Sequence, residues 1–115
     1  MPEYMMFIWD DEQGWADADP ATVAAVMAAH GKFIAEHAGR IRGGNRLHPA
    51  AASTCLRTDS DGSVRISDGA FAETKEVIGG YYLIEAADLD AALRIATAIP
   101  APFGGVEVRP VQPTG

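Results

Sequence analysis

At 115 residues, 48% hydrophobic and 22% charged, the chain has room for one domain with one core and too little for two. A formal charge of −7 with scattered basic residues argues against nucleic acid and anionic membranes as partners, and no apolar run approaches the roughly 20 residues that span a bilayer. Cys55 is the sole cysteine, which rules out an intrachain disulfide and a thiolate metal cluster; with no basic signal segment in Met1-Pro-Glu-Tyr4, a cytoplasmic location is expected.

Tyr4-Met-Met-Phe-Ile-Trp9 is a continuous apolar run between acidic residues, the pattern of a strand buried on both faces. A loop is expected from Asp10 to Asp19. Asp19-Pro20 then opens a helix, with Asp as cap and Pro at the first helical position. Val23, Val26, Met27, Phe33 and Ile34 recur on one face of it, and Gly39 offers a stop. Ile41–Leu47 reads as a strand whose Gly43-Gly44 pair marks a bulge or a close backbone approach. Ser53–Thr58 and Ser63–Ser67 form a hairpin around Asp59-Ser-Asp-Gly62, with Gly62 suited to positive φ.

Val77–Glu85 is the next strand. Asp88 caps a second helix with Leu89, Leu93, Ala96 and Ile99 on its apolar face, and Pro100 ends it. Val106–Val111 closes the chain, Val106 and Val108 facing one way, Glu107 and Arg109 the other, with Pro110 at an end or an edge. The order β-α-β-(hairpin)-β-α-β predicts an α+β domain of ferredoxin-like type, two helices on one face of an antiparallel sheet. Two helices cover one face only, so the two-faced first strand would leave an apolar patch from the set Met5, Phe7, Trp9 or its alternate. A homodimer stacked sheet on sheet is the expected remedy.

Three histidines and one charged segment carry the candidate chemistry. His30 falls on the apolar stripe of the first helix, where it is either a core histidine satisfied by a backbone carbonyl or a functional group. His37, one heptad on, suits the helix dipole, and His48 before Pro49 suits solvent. Asp68-Gly-Ala-Phe-Ala-Glu-Thr-Lys-Glu76 sets Glu73, Lys75 and Glu76 behind an Asp-Gly turn and the lone aromatic Phe71, in a segment joining a hairpin to a buried strand.

That segment, with Tyr4-Met-Met-Phe-Ile-Trp9, Ala29-His-Gly-Lys-Phe33, Gly79-Gly-Tyr-Tyr-Leu-Ile-Glu85, Asp88-Leu-Asp-Ala-Ala-Leu93 and Val106-Glu-Val-Arg-Pro110, resembles the YCII-related domain family, specifically its DGPF-type branch. Ala70 stands where that branch has its proline, which loosens the turn after Asp68. The resemblance implies a ferredoxin-like fold in a dimeric α/β-barrel-like assembly, and an active site around a His–Asp pair, here His30 and Asp68. Family members include a cofactor-free dehydrochlorinase of a chlorinated hydroxyquinol, and others occur fused to or beside sigma factors.

On this reading Asp68 orients the His30 ring, leaving its other nitrogen as general base or acid. Lys75 would hold an anionic or phenolic substrate, steered by Glu73 or Glu76; Tyr81 or Tyr82 would donate a hydrogen bond from the wall. Phe71 would add an apolar contact. No dinucleotide fingerprint, P-loop or serine elbow is present, so no cofactor is expected. The readings are a cofactor-independent lyase- or hydrolase-like enzyme acting on a small organic molecule, or a non-catalytic small-molecule binding or regulatory module using the same pocket, with a possible link to sigma-factor regulation. A divalent metal held by His30, Asp68 and Glu73 is a weaker third, without close ligand spacing to support it.

Overall fold

The computed structural model describes residues 1–69 and 75–114. Its main sheet has four antiparallel strands, β1 (Glu3–Asp11), β2 (Ile41–Arg46), β5 (Glu76–Glu85) and β6 (Gly104–Pro110), in the order β2-β5-β1-β6. Two further strands, β3 (Thr54–Thr58) and β4 (Val64–Asp68), pair with each other and, among the described residues, with no third strand, as a two-stranded ribbon. The described residues also form three α-helices, α1 (Glu12–Asp17), α2 (Pro20–Glu36) and α3 (Leu89–Ala96), and a 3-10 turn at Ala50–Ala52. This is an α+β domain with the ferredoxin-like order of strands.

Strand β1 decides which way the sheet faces. Tyr4, Met6, Ile8 and Asp10 are buried, and the residues between them are half-buried. Tyr4, Met6 and Ile8 meet Tyr82 and Ile84 of β5, Phe33 of α2, and Ala92 and Ala96 of α3 in one core. Burying a large apolar side chain such as Met6, Phe33 or Ile84 contributes roughly 1.5–3 kcal/mol. The alternate set, Met5, Phe7 and Trp9, lies opposite Leu83, Tyr81 and Ile78 on the face the helices leave uncovered. Glu107 and Arg109 of β6 share that face, where Glu107 accepts from the Trp9 indole and pairs with Arg109, whose guanidinium lies 5.5 Å from the Phe7 ring centroid.

Helix α2 begins as its sequence dictates: the Asp19 carboxylate accepts from the Thr22 amide at 2.8 Å, and Pro20 occupies the first turn. It buries Val26 and Phe33 and ends at His37, two residues before Gly39. Helix α3 meets its expected face in part: Ala96, and Ile99 just beyond its end, are buried together with Ala92, while Leu89 and Leu93 stay exposed. The expected loop from Asp10 to Asp19 contains α1, capped by Asp11 and seated where Trp15 meets the edge of Phe103 at 5.0 Å. Pro110 does end β6, an edge strand, with Val106 and Val108 toward the core and Glu107 and Arg109 away from it.

Candidate functional site

Between α2 and the covered face of the sheet lies a cavity of about 330 Å³. Its walls are mostly apolar, with Ile8, Trp15, Met27 and Ile34 among them, and four polar side chains reach it: Asp10, His30, Arg46 and Tyr82. A wider trough opens beside it toward Glu12, Gln13 and His48 and shares Asp10, Trp15 and Arg46 with it.

Asp10 reaches the cavity through the strand alternation and a break in β5. Ile8 pairs with Gly80 and Trp9 with Ile78, so Gly79 is the extra residue of a bulge. A Cβ on Gly79 would stand 2.0 Å from an Asp10 carboxylate oxygen; glycine there leaves the carboxylate its space. Only 7% of Asp10 is exposed, and loss of water raises its pKa above the usual carboxylate range. The Trp15 indole donates to it, and the charges of His30 and Arg46 favour the carboxylate, which limits the rise.

His30 Nδ1 lies 2.8 Å from the Tyr82 hydroxyl, with the two rings stacked at 6.0 Å between centroids. Burial lowers the imidazole pKa; the Asp10 charge and the Pro100 carbonyl oppose that shift, and the Arg46 charge adds to it. Tyr82 is buried against Phe33, and its phenol is made harder to ionise by lost hydration. Gly44 lets β2 pass over the Tyr82 ring, since a Cβ there would come within 2.7 Å of it. Arg46 lies over Trp15, 4.8 Å from the ring centroid, with a further contact to the Met27 sulfur.

The sequence candidates divide. His30 and Tyr82 line the cavity. Tyr81 sits on the uncovered face, its hydroxyl accepting from Asn45 at 3.0 Å. Asp68 is an exposed residue at the root of the ribbon, opposite Thr54, and is absent from the cavity wall; the carboxylate that acts on His30 there is Asp10. Lys75 is exposed and pairs with Asp11 at 3.8 Å, and Glu76 begins β5 opposite the same Asp11. Phe71 and Glu73 lie outside the described residues, as does Ala70.

His37 caps α2, its ring stacked on Phe33 and bonded to the Phe33 carbonyl, and His48 is exposed. Cys55 is buried and its thiol donates to the Gly69 carbonyl. Among the described residues no three His, Cys, Asp or Glu side chains gather closely enough to hold a metal ion.

Asp10, Trp15 and Arg46 were not among the sequence candidates. Asp10 had a readable signal: it continues the series Tyr4, Met6, Ile8 at period two, so a buried first strand carries it inward. Trp15 and Arg46 had none, because their place depends on how α1 and the end of β2 fold over the sheet.

A four-stranded antiparallel sheet of this order, with a polar-floored cavity under its first long helix, defines a ferredoxin-like α+β domain. The chain belongs to the YCII-related domain family, whose model matches residues 3–114. It is also similar to an uncharacterised protein of Rhizobium meliloti (strain 1021), 36% identical over an alignment covering 94% of this chain and 90% of the relative. Among the described residues no helix is long and apolar enough to cross a membrane.

Proposed function

We propose that the cavity is a cofactor-independent acid–base site of lyase or hydrolase type acting on a small organic substrate. The observation that carries this reading is the meeting of a buried carboxylate, a desolvated imidazole and a buried phenol in one cavity. Asp10 takes the role that the sequence reading gave to Asp68. Its charge stabilises the imidazolium of His30 when the ring accepts a proton. Tyr82 stands between His30 and the substrate: as its oxygen takes a substrate proton, its own proton passes to His30 Nδ1. Arg46, with its charge at the wall, holds an anionic or phenolic group in the place expected of Lys75. The apolar walls and the volume suit a small ring.

A second reading, a binding or regulatory module, is favoured by one feature: Tyr82 and the Pro100 carbonyl already engage the His30 ring. We also place the chain in the DGPF-type branch on the strength of Asp68–Glu76, and in the cytoplasm on its single cysteine. We infer a homodimer from the uncovered face bearing Met5, Phe7, Trp9 and Leu83.

The test is a screen of small phenolic and chlorinated acids for turnover and for binding, repeated with His30→Ala and Tyr82→Phe. Turnover lost in His30→Ala with binding retained supports the enzyme. Binding without turnover of any compound supports the module. Ligands that bind equally well to Arg46→Ala and to a variant with the cavity filled, Ile34→Trp, would remove this cavity from consideration.

A further inference from the structure

The β3–β4 ribbon presents a second apolar surface, separate from the sheet. Leu56 and Ile66 stand directly opposite one another, and strand alternation puts Val64 on the same face. They are 58%, 69% and 54% exposed, respectively. On the other face Cys55 is buried, while Arg57 and Arg65 point to solvent. The apolar face of the ribbon is therefore the one turned away from the body of its own chain. A two-stranded ribbon with no third strand is marginally stable by itself in water.

The dimensions of the chain show that substantial surface is left uncovered. It spans 48 × 45 × 17 Å with a radius of gyration of 16.2 Å, against about 13 Å for a compact domain of this length. Its accessible surface is 7601 Å², where a compact monomer of this mass has about 6,000 Å². The excess, about 1,600 Å², is more than the roughly 800 Å² that each partner contributes to an interface of standard size.

We propose that the ribbon is an arm that grips a second copy of this chain through Leu56, Val64 and Ile66. This rests on the homodimer reading and adds a contact to it. A second copy is the occupant that fits because the same chain exposes two apolar surfaces. A two-fold pair covers both at once, each arm lying against the body of the other protomer, and the excess area leaves room for an interface of standard size. Asp68 lies on the same side of the ribbon as Leu56 and Ile66, so it too is turned toward the second copy rather than toward the cavity of its own chain.

The experiment compares wild type with Leu56→Glu/Ile66→Glu and with Phe7→Glu by light scattering and sedimentation over a dilution series. The wild type is expected to be a dimer, and the ribbon variant to raise its dissociation constant by at least about a hundredfold while keeping its circular dichroism. A wild type that remains monomeric at every concentration overturns the arm and the homodimer together. A dimer weakened by Phe7→Glu and untouched by the ribbon variant overturns the arm alone and keeps the homodimer. If the ribbon variant does not fold, amide exchange in wild type decides. Protection of Thr54–Thr58 and Val64–Asp68 that falls on dilution supports the arm; protection indifferent to concentration overturns it.

Discussion

The cavity under α2 and the β3–β4 ribbon both contain a carboxylate near apolar side chains, yet they give it different properties. Asp10 is buried among Trp15, His30 and Arg46, and its proton affinity rises through lost hydration. Asp68 sits in solvent at the end of a strand whose neighbours are almost all exposed. In the cavity, low polarity makes charges act strongly on one another; on the ribbon, water screens them. A charge-rich, motif-like segment stands out in the sequence, while a single aspartate at the end of a hydrophobic run acquires the perturbed environment.

The largest expected contrast is in stability. Phe33→Ala, which empties the centre of the core beneath the cavity, should cost about 3–5 kcal/mol. Leu56→Ala on the ribbon should stay within about 0.5 kcal/mol when measured by denaturant at concentrations where the chain is monomeric. Equal losses would show that the ribbon is part of the core.

Gly79→Ala should cost about 1–3 kcal/mol and displace the Asp10 carboxylate, because the new Cβ has no room beside it. The readout is the midpoint of thermal unfolding together with the His30 titration followed by NMR. A wild-type His30 titration in this variant would mean that Asp10 had not moved.

The pH dependence follows from His30. Its folded pKa lies below the ordinary 6.5, so its contribution to stability is full above 6.5 and is lost as pH falls from there through the lowered folded value. The unfolded chain takes up the proton first. Denaturant unfolding across this window should show the slope in wild type and its loss in His30→Gln. Asp10 acts with the opposite sign at lower pH: stability declines as pH rises from the ordinary carboxylate value to its raised one, and Asp10→Asn should remove that decline.

Asp10→Asn should also lower the His30 pKa further, since it deletes the charge that opposes the shift. The smallest effect is expected from Asp68→Asn, which should leave the His30 titration in the monomer unchanged. A matching displacement by Asp68→Asn would restore Asp68 as the partner of His30 and undo the comparison.

Much of this molecule was legible from periodicity alone. The two-faced β1, the Asp19-Pro20 start of α2, the alternation of Val106 to Arg109 and the turn glycine Gly62, found at φ 89°, are local matters of spacing, capping and steric freedom. These depend on neighbours in sequence, which a single chain displays. His30 was likewise placed on the inward stripe of α2 by the same reasoning, whereas the choice between Tyr81 and Tyr82 as wall residue stayed open until the fold turned Tyr82 toward the cavity. What only the tertiary structure decided was which groups share a space. The Gly79 bulge, the seating of α1 on Phe103 and the passage of β2 over Tyr82 bring Asp10, Trp15 and Arg46 to His30 from positions up to 36 residues apart in the chain. Burial and mutual charge are properties of that enclosure. They depend on distance in space and on excluded water, neither of which the spacing of residues along a chain encodes.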